Sequence, residues 1–245
     1  MTFRNINITF AISIGLFIMA CQTKTDNINQ TSTEKQATPN STKEKDKPVS
    51  SKEMETNEST PSYQKIIVFF GNSLTAGYQL NEDKSFPSII QNKLIESGKS
   101  YKVVNAGLSG DTTHDGLSRI DWVLKQPMDV FVLELGANDL LRGFDISQTE
   151  KNLKAIIDKV KDKHPSIPII IAGMLSPPNM GRAYEQKFNS LFKDLAKEYD
   201  AGLIPFLLEN VAGIQTLNLP DGKHPNEEGQ KIVAENVWKE LKKYL

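Results

Sequence analysis

Cysteine is all but missing from this chain. One residue in 245, Cys21, excludes an intrachain disulfide and any CxxC-type metal site. An excess of either charge is missing too: 29 Lys and Arg stand against 30 Asp and Glu, a formal net charge of -1. Such a balance offers no electrostatic grip on nucleic acid, whose binding is dominated by phosphate neutralisation. Neither GxxxxGK[ST] nor GxGxxG occurs, which removes the common phosphate-cradling loops. Only three histidines are present, so chemistry that needs an imidazole has few candidates. Long hydrophobic runs are scarce as well. The one near the N-terminus, residues 8–20, is shorter than the roughly 20 residues a membrane-spanning helix requires. What remains, 38% hydrophobic and 24% charged residues, is ordinary globular material with length enough for one well-buried core.

The N-terminal run follows Arg4 and ends in "IMAC", the layout of a secretory signal. Ile18, Met19, Ala20 and Cys21 resemble a bacterial lipobox, in which the signal is cut before the cysteine and the new N-terminus is lipidated. That resemblance implies a membrane-anchored lipoprotein of the bacterial cell envelope, facing the periplasm or the exterior. The alternative is an ordinary secretory signal with an incidental cysteine. Residues 22–62 are Thr, Ser, Asn, Gln, Lys and Glu with three prolines, a composition unable to bury enough surface to fold. As a flexible tether they would reach about 35 Å. The expected organisation is thus a signal peptide over 1–20, a lipidated Cys21 and tether over 21–62, and one domain over 63–245.

Within that domain apolar runs alternate with amphipathic stretches. Strands are expected over 65–70, 101–107, 129–136, 167–173 and 202–206, most of them continuously apolar, as parallel strands covered on both faces require. Helix signals lie between them: Pro87 in a first turn, Gly98 past a last one, Ser147 with Glu150 as a capping box, and a final helix over 226–244. The alternation predicts a three-layer α/β/α fold with a central parallel sheet. Ligands of such sheets sit beyond the carboxyl ends of the strands. The segments there, "GNSLTAGY", "NAGLSGDTTHDG", "LGANDLLRG" and "MLSPPNMGR", are dense in Gly, Ser, Asn and Asp.

Ser73, just past the first strand, suits a nucleophile near a helix N-terminus, although a lone serine in such a turn reads first as an N-cap and needs partners to read otherwise. Activation requires a base. His114 opens a helix and His164 closes one, so both read as solvated or capping residues. His224, in "LPDGKHPNEEG", has Asp221 three residues earlier across a glycine, within reach of Nδ1 in a tight turn. Gly110 offers an unobstructed backbone N–H and Asn138 a side-chain amide, donors of the kind that stabilise an oxyanion. Met174, Leu175, Pro177, Pro178 and Met180 are candidates for an apolar wall.

Taken in order, "GNSLTAGY", "NAGLSGDTT", "LGANDLLRG" and "DGKHP" resemble the four sequence blocks of the SGNH (GDSL) hydrolases, most closely their thioesterase I/lysophospholipase L1/arylesterase branch. The resemblance covers the chain from about residue 65 onward. It implies a flavodoxin-like fold and hydrolysis of acyl esters, thioesters or lysolipids by a cofactor-free, metal-free monomer. It assigns Ser73 as nucleophile, His224 as base with Asp221 behind it, and the Ser73 N–H, Gly110 and Asn138 as oxyanion donors. One position departs from the pattern: Asn72 stands where the family name records Asp. The rival readings are a carbohydrate O-acetylesterase and a non-catalytic ligand-binding lipoprotein.

Overall fold

The structure is a computed structural model that describes residues 65–245 apart from Asn179. The expected signal peptide, Cys21 and the expected tether lie outside the described residues. Among the described residues five strands, β1 (Lys65–Gly71), β2 (Tyr101–Gly107), β3 (Val130–Glu134), β4 (Ile169–Ala172) and β5 (Gly202–Ile204), form one parallel sheet in the order β2-β1-β3-β4-β5. All five fall inside the expected runs or within one residue of them. The order reverses between β1 and β3, which opens a crevice at their carboxyl ends.

Among the described residues seven α-helices accompany the sheet: α1 (Ser73–Ala76), α2 (Phe86–Glu96), α3 (Thr113–Val123), α4 (Ala137–Leu141), α5 (Ile146–Lys163), α6 (Arg182–Tyr199) and α7 (Glu227–Leu241). Helices α2 and α7 pack together on one face of the sheet, while α3, α5 and α6 cover the other. The consecutive residues Phe69 and Phe70 explain this division, because neighbouring strand residues point to opposite faces. Phe69 meets Phe86 of α2 edge-on, with ring centroids 5.4 Å apart. Phe70 meets Phe131 of β3 at 5.7 Å and carries the Arg119 guanidinium of α3 4.0 Å above its ring. All four phenyl rings just named are buried, and each contributes about 1.5–3 kcal/mol through removal from water. The outer edge of β2 is blunted by Gln91 of α2, whose amide accepts from Val103 N and donates to Tyr101 O.

The helix ends differ from expectation at α5. Its N-cap is Asp145, not Ser147: the Asp145 carboxylate accepts from Ser147 N at 2.8 Å and Ser147 Oγ at 2.6 Å. Ser147 is thereby drawn inside the first turn, and Glu150 pairs instead with Lys154 at 3.1 Å. An ionised carboxylate is the stronger acceptor and wins the cap position. A genuine capping box occurs at α3, between Thr112 and Asp115. The last helix begins after its N-cap Asn226, as expected, and its final turn over Lys242–Tyr244 tightens to a 3-10 helix.

Candidate active site

Strand β1 ends at Gly71, and the chain turns at once into the four-residue α1. The N-cap is Asn72, whose Oδ1 accepts from Leu74 N at 3.0 Å. Ser73, the first residue of α1, therefore has no capping duty. Its hydroxyl lies 2.8 Å from His224 Nε2. The reading of Ser73 as a helix cap gives way to one in which its neighbour caps and the serine faces the imidazole.

The histidine is held by a turn of its own. Asp221 Oδ1 accepts from the backbone N–H groups of Lys223 at 2.9 Å and His224 at 3.1 Å, while Oδ2 lies 2.6 Å from His224 Nδ1. Gly222, at φ +68°, supplies the left-handed residue this turn needs. Burial alone would push the Asp221 carboxyl up. The hydrogen bonds from Lys223 and His224 outweigh it and hold the group at about 2, so it is ionised throughout the neutral range. Tyr78 packs its ring 4.4 Å from the imidazole. Asp221, His224 and Ser73 thus form one continuous line of hydrogen bonds, assembled from residues 151 positions apart.

Asn138, the second residue of α4, reaches the same crevice from the end of β3. Its Nδ2 donates to Asp111 O at 2.8 Å, which leaves its second amide proton for another acceptor. Gly110 adjoins Asp111 at φ +92°, and Arg142 donates to its carbonyl at 2.8 Å. Arg119 ties the same loop to the sheet through Asp111 Oδ2 at 2.5 Å and Gly71 O at 3.0 Å. The N–H groups of Ser73 and Gly110 have no acceptor among the described residues.

A cavity of about 330 Å³ opens beside Ser73, Asn138 and His224. Its walls are mostly apolar and include Leu140, Met174, Leu175, Pro177 and Phe206. Of the expected wall, Pro178 and Met180 do not line it: Pro178 is exposed, and Met180 packs against the core. His114 and His164 are absent from the cavity too, the first exposed near the start of α3 and the second capping the end of α5. Among the described residues, no three His, Cys, Asp or Glu side chains are grouped as metal ligands. Four contributors escaped sequence reasoning: Tyr78, Arg119, Arg142 and Glu134, whose carboxylate accepts from Asn72 N beside Ser73. Only Glu134 left a signal, as a lone acid ending an apolar strand.

A model of the GDSL-like lipase/acylhydrolase family matches residues 69–232. The chain belongs to that family. Among its relatives in this family, an arylesterase of Vibrio mimicus is 39% identical over 183 residues, 74% of this chain and 90% of the relative. The thioesterase 1/protease 1/lysophospholipase L1 of Escherichia coli K12 is also 39% identical, over 71% of this chain and 82% of its own. The crystal structure of TesA superposes with a TM-score of 0.70 at 34% identity, covering 74% of this chain and 100% of that one. As a member of the GDSL-like family the protein is a carboxylic ester hydrolase acting on small-molecule esters. The expected parallel-sheet architecture is the one its structural relatives have.

Proposed function

We propose that this chain hydrolyses acyl esters or thioesters through a Ser73–His224–Asp221 triad and a covalent acyl-enzyme. The observation that carries the reading is the unbroken line Asp221–His224–Ser73 opening onto an apolar cavity that Asn138 also enters. Ser73 Oγ attacks the carbonyl carbon while His224 Nε2 takes its proton. The tetrahedral oxyanion is held by the N–H groups of Ser73 and Gly110 and by Asn138 Nδ2. Collapse expels the leaving alcohol or thiol, which receives the proton from His224. Water then loses a proton to His224 and attacks the acyl carbon; Ser73 departs reprotonated and the acid is released.

The apolar lining favours an acyl chain longer than acetyl, and the relatives named arylesterase and thioesterase agree with such substrates. Hydrolysis of p-nitrophenyl acetate, butyrate, octanoate and palmitate tests this. A rate rising beyond acetate is expected. Activity confined to acetyl groups would turn the reading to an O-acetylesterase, and a folded protein inert to every ester and to a fluorophosphonate would turn it to a binding module. Removing one oxyanion donor should also be visible: Asn138→Ala is expected to lower kcat by about 10²–10³, and full activity in that variant would remove Asn138 from the oxyanion site.

The enzyme is further proposed to act as a monomer, because one chain supplies all three members of the line. It is proposed to be anchored by lipid on Cys21, a reading supported by "IMAC" at the end of the N-terminal apolar run. Radiolabelled palmitate should enter the wild type and not Cys21→Ala; equal labelling of both would refute the anchor.

A further inference from the structure

The catalytic line makes no use of Glu134, yet this carboxylate is 1% exposed and sits under the turn that presents Ser73. It is the last residue of β3, paired in register with Gly71 at the end of β1. Its Oε2 accepts from Asn72 N at 3.1 Å and Thr75 Oγ1 at 2.8 Å, and its Oε1 accepts from Asn72 Nδ2 at 2.7 Å. Asn72 spends its remaining amide oxygen on Leu74 N. The space is closed: a Cβ at Gly71 would lie 2.6 Å from Glu134 Oε2 and closer still to Thr75 Oγ1. Burial pushes the Glu134 carboxyl up to about 7, against the bonds from Thr75 and Asn72 that favour its ionised form.

We propose that Glu134 is a positioning residue for ester hydrolysis, clamping both ends of the Ser73 turn through Asn72 and Thr75, with Asn72 as the donor that this acceptor requires. The inference rests on the reading of Ser73 as nucleophile. Its force comes from hydrogen-bond polarity. Three donors converge on two carboxylate oxygens, and the Asn72 amide cannot be turned over, because its Nδ2 would then oppose the Leu74 N–H. In a Glu134→Gln chain one amide NH₂ must face the Asn72 Nδ2 or the Asn72 N–H. Every arrangement leaves two buried donors opposed, which is costly where water cannot enter.

Reversing the polarity of the partner repairs the mismatch. In Asn72→Asp/Glu134→Gln, the new carboxylate keeps Leu74 N on one oxygen and accepts from the new amide on the other. The amide oxygen retains Asn72's former backbone N–H and Thr75. Asn72→Asp alone brings two carboxylates together, and the pair survives by holding a proton that serves as the missing donor. Glu134→Gln is therefore harmful with Asn72 and benign with Asp at position 72.

The test is a double-mutant cycle on the full chain, reading kcat, KM, and amide hydrogen exchange over residues 72–76. Glu134→Gln should lower kcat by about ten- to a hundredfold, as expected for one mismatched buried donor, with KM within about twofold. Relative to Asn72→Asp, the double variant should retain kcat within about threefold, since the interaction term of the cycle then absorbs the loss. Exchange over 72–76 should quicken in Glu134→Gln alone. Equal losses from Glu134→Gln in both backgrounds, a change in KM only, or no change in kcat would overturn the proposal. A wild type inert toward esters would refute the reading of Ser73 instead, and the exchange pattern alone would then decide whether the clamp exists.

Discussion

Replacing Ser73 by alanine should lower kcat toward p-nitrophenyl esters by about 10⁶, the loss expected when the nucleophile of a serine triad is removed. The folded protein should be unaffected. Ser73 is buried, its hydroxyl's hydrogen-bond partners among the described residues are His224 Nε2 and, at a long 3.4 Å, Asn72 Oδ1, and α1 is capped by Asn72. The variant loses an attacking oxygen and keeps its turn. Two measurements check this: steady-state hydrolysis, and the covalent incorporation of a fluorophosphonate, which should fall to background. Residual activity within tenfold of wild type would mean that water, not Ser73, attacks the ester.

A large loss, though smaller than that of Ser73→Ala, is expected from the exchange of one heavy atom in Asp221. In Asp221→Asn the side-chain oxygen is committed, because the backbone N–H groups of Lys223 and His224 both point at the Oδ1 position. The new NH₂ must then occupy the place of Oδ2, 2.6 Å from His224 Nδ1. A donor there forces Nδ1 to accept, so the imidazole proton moves to Nε2 and faces Ser73. A base that already carries its proton on that nitrogen cannot take another from the serine. The expected fall in kcat is about 10⁴, the size seen when a triad carboxylate is replaced by its amide. The turn itself should persist, so thermal stability should change little. A loss below tenfold would show that backbone geometry alone orients the imidazole and that the carboxylate, held at about 2, supplies nothing to it.

Much of this site was legible in the sequence because its parts are local. Asp221 and His224 are three residues apart across Gly222, and a turn of that length brings carboxylate to imidazole whatever surrounds it. The loops carrying Ser73, Gly110 and Asn138 each follow a strand, and a parallel sheet gathers such loops at one edge. Where two local signals competed, sequence reasoning failed: Ser147 and Asp145 both suit a helix cap, and only backbone dihedrals show that Asp145 holds the position. The apolar wall was half legible for a similar reason. Met174, Leu175 and Pro177 face the cavity while Pro178 and Met180, a few residues on, do not, and an irregular loop has no periodicity from which facing could be read.

Glu134 marks the boundary. As a residue it is one acid at the end of an apolar strand. Its role depends on β3 lying beside β1, so that a carboxylate meets a backbone turn 62 positions earlier. Asn72 likewise looked like a minor departure from a family motif until its amide was seen to point at that carboxylate. By itself the sequence determined the order of strands and helices, the apolar runs that must be covered on both faces, and the tight turn that pairs Asp221 with His224, because each depends on periodicity or on spacing of a few residues. Only the tertiary structure decided which strands are neighbours, that Ser73 and His224 meet across 151 residues, and that Glu134 is buried under the serine turn with three donors around it. Strand adjacency and the sharing of buried hydrogen bonds are settled by packing the whole chain at once, and no local stretch contains that information.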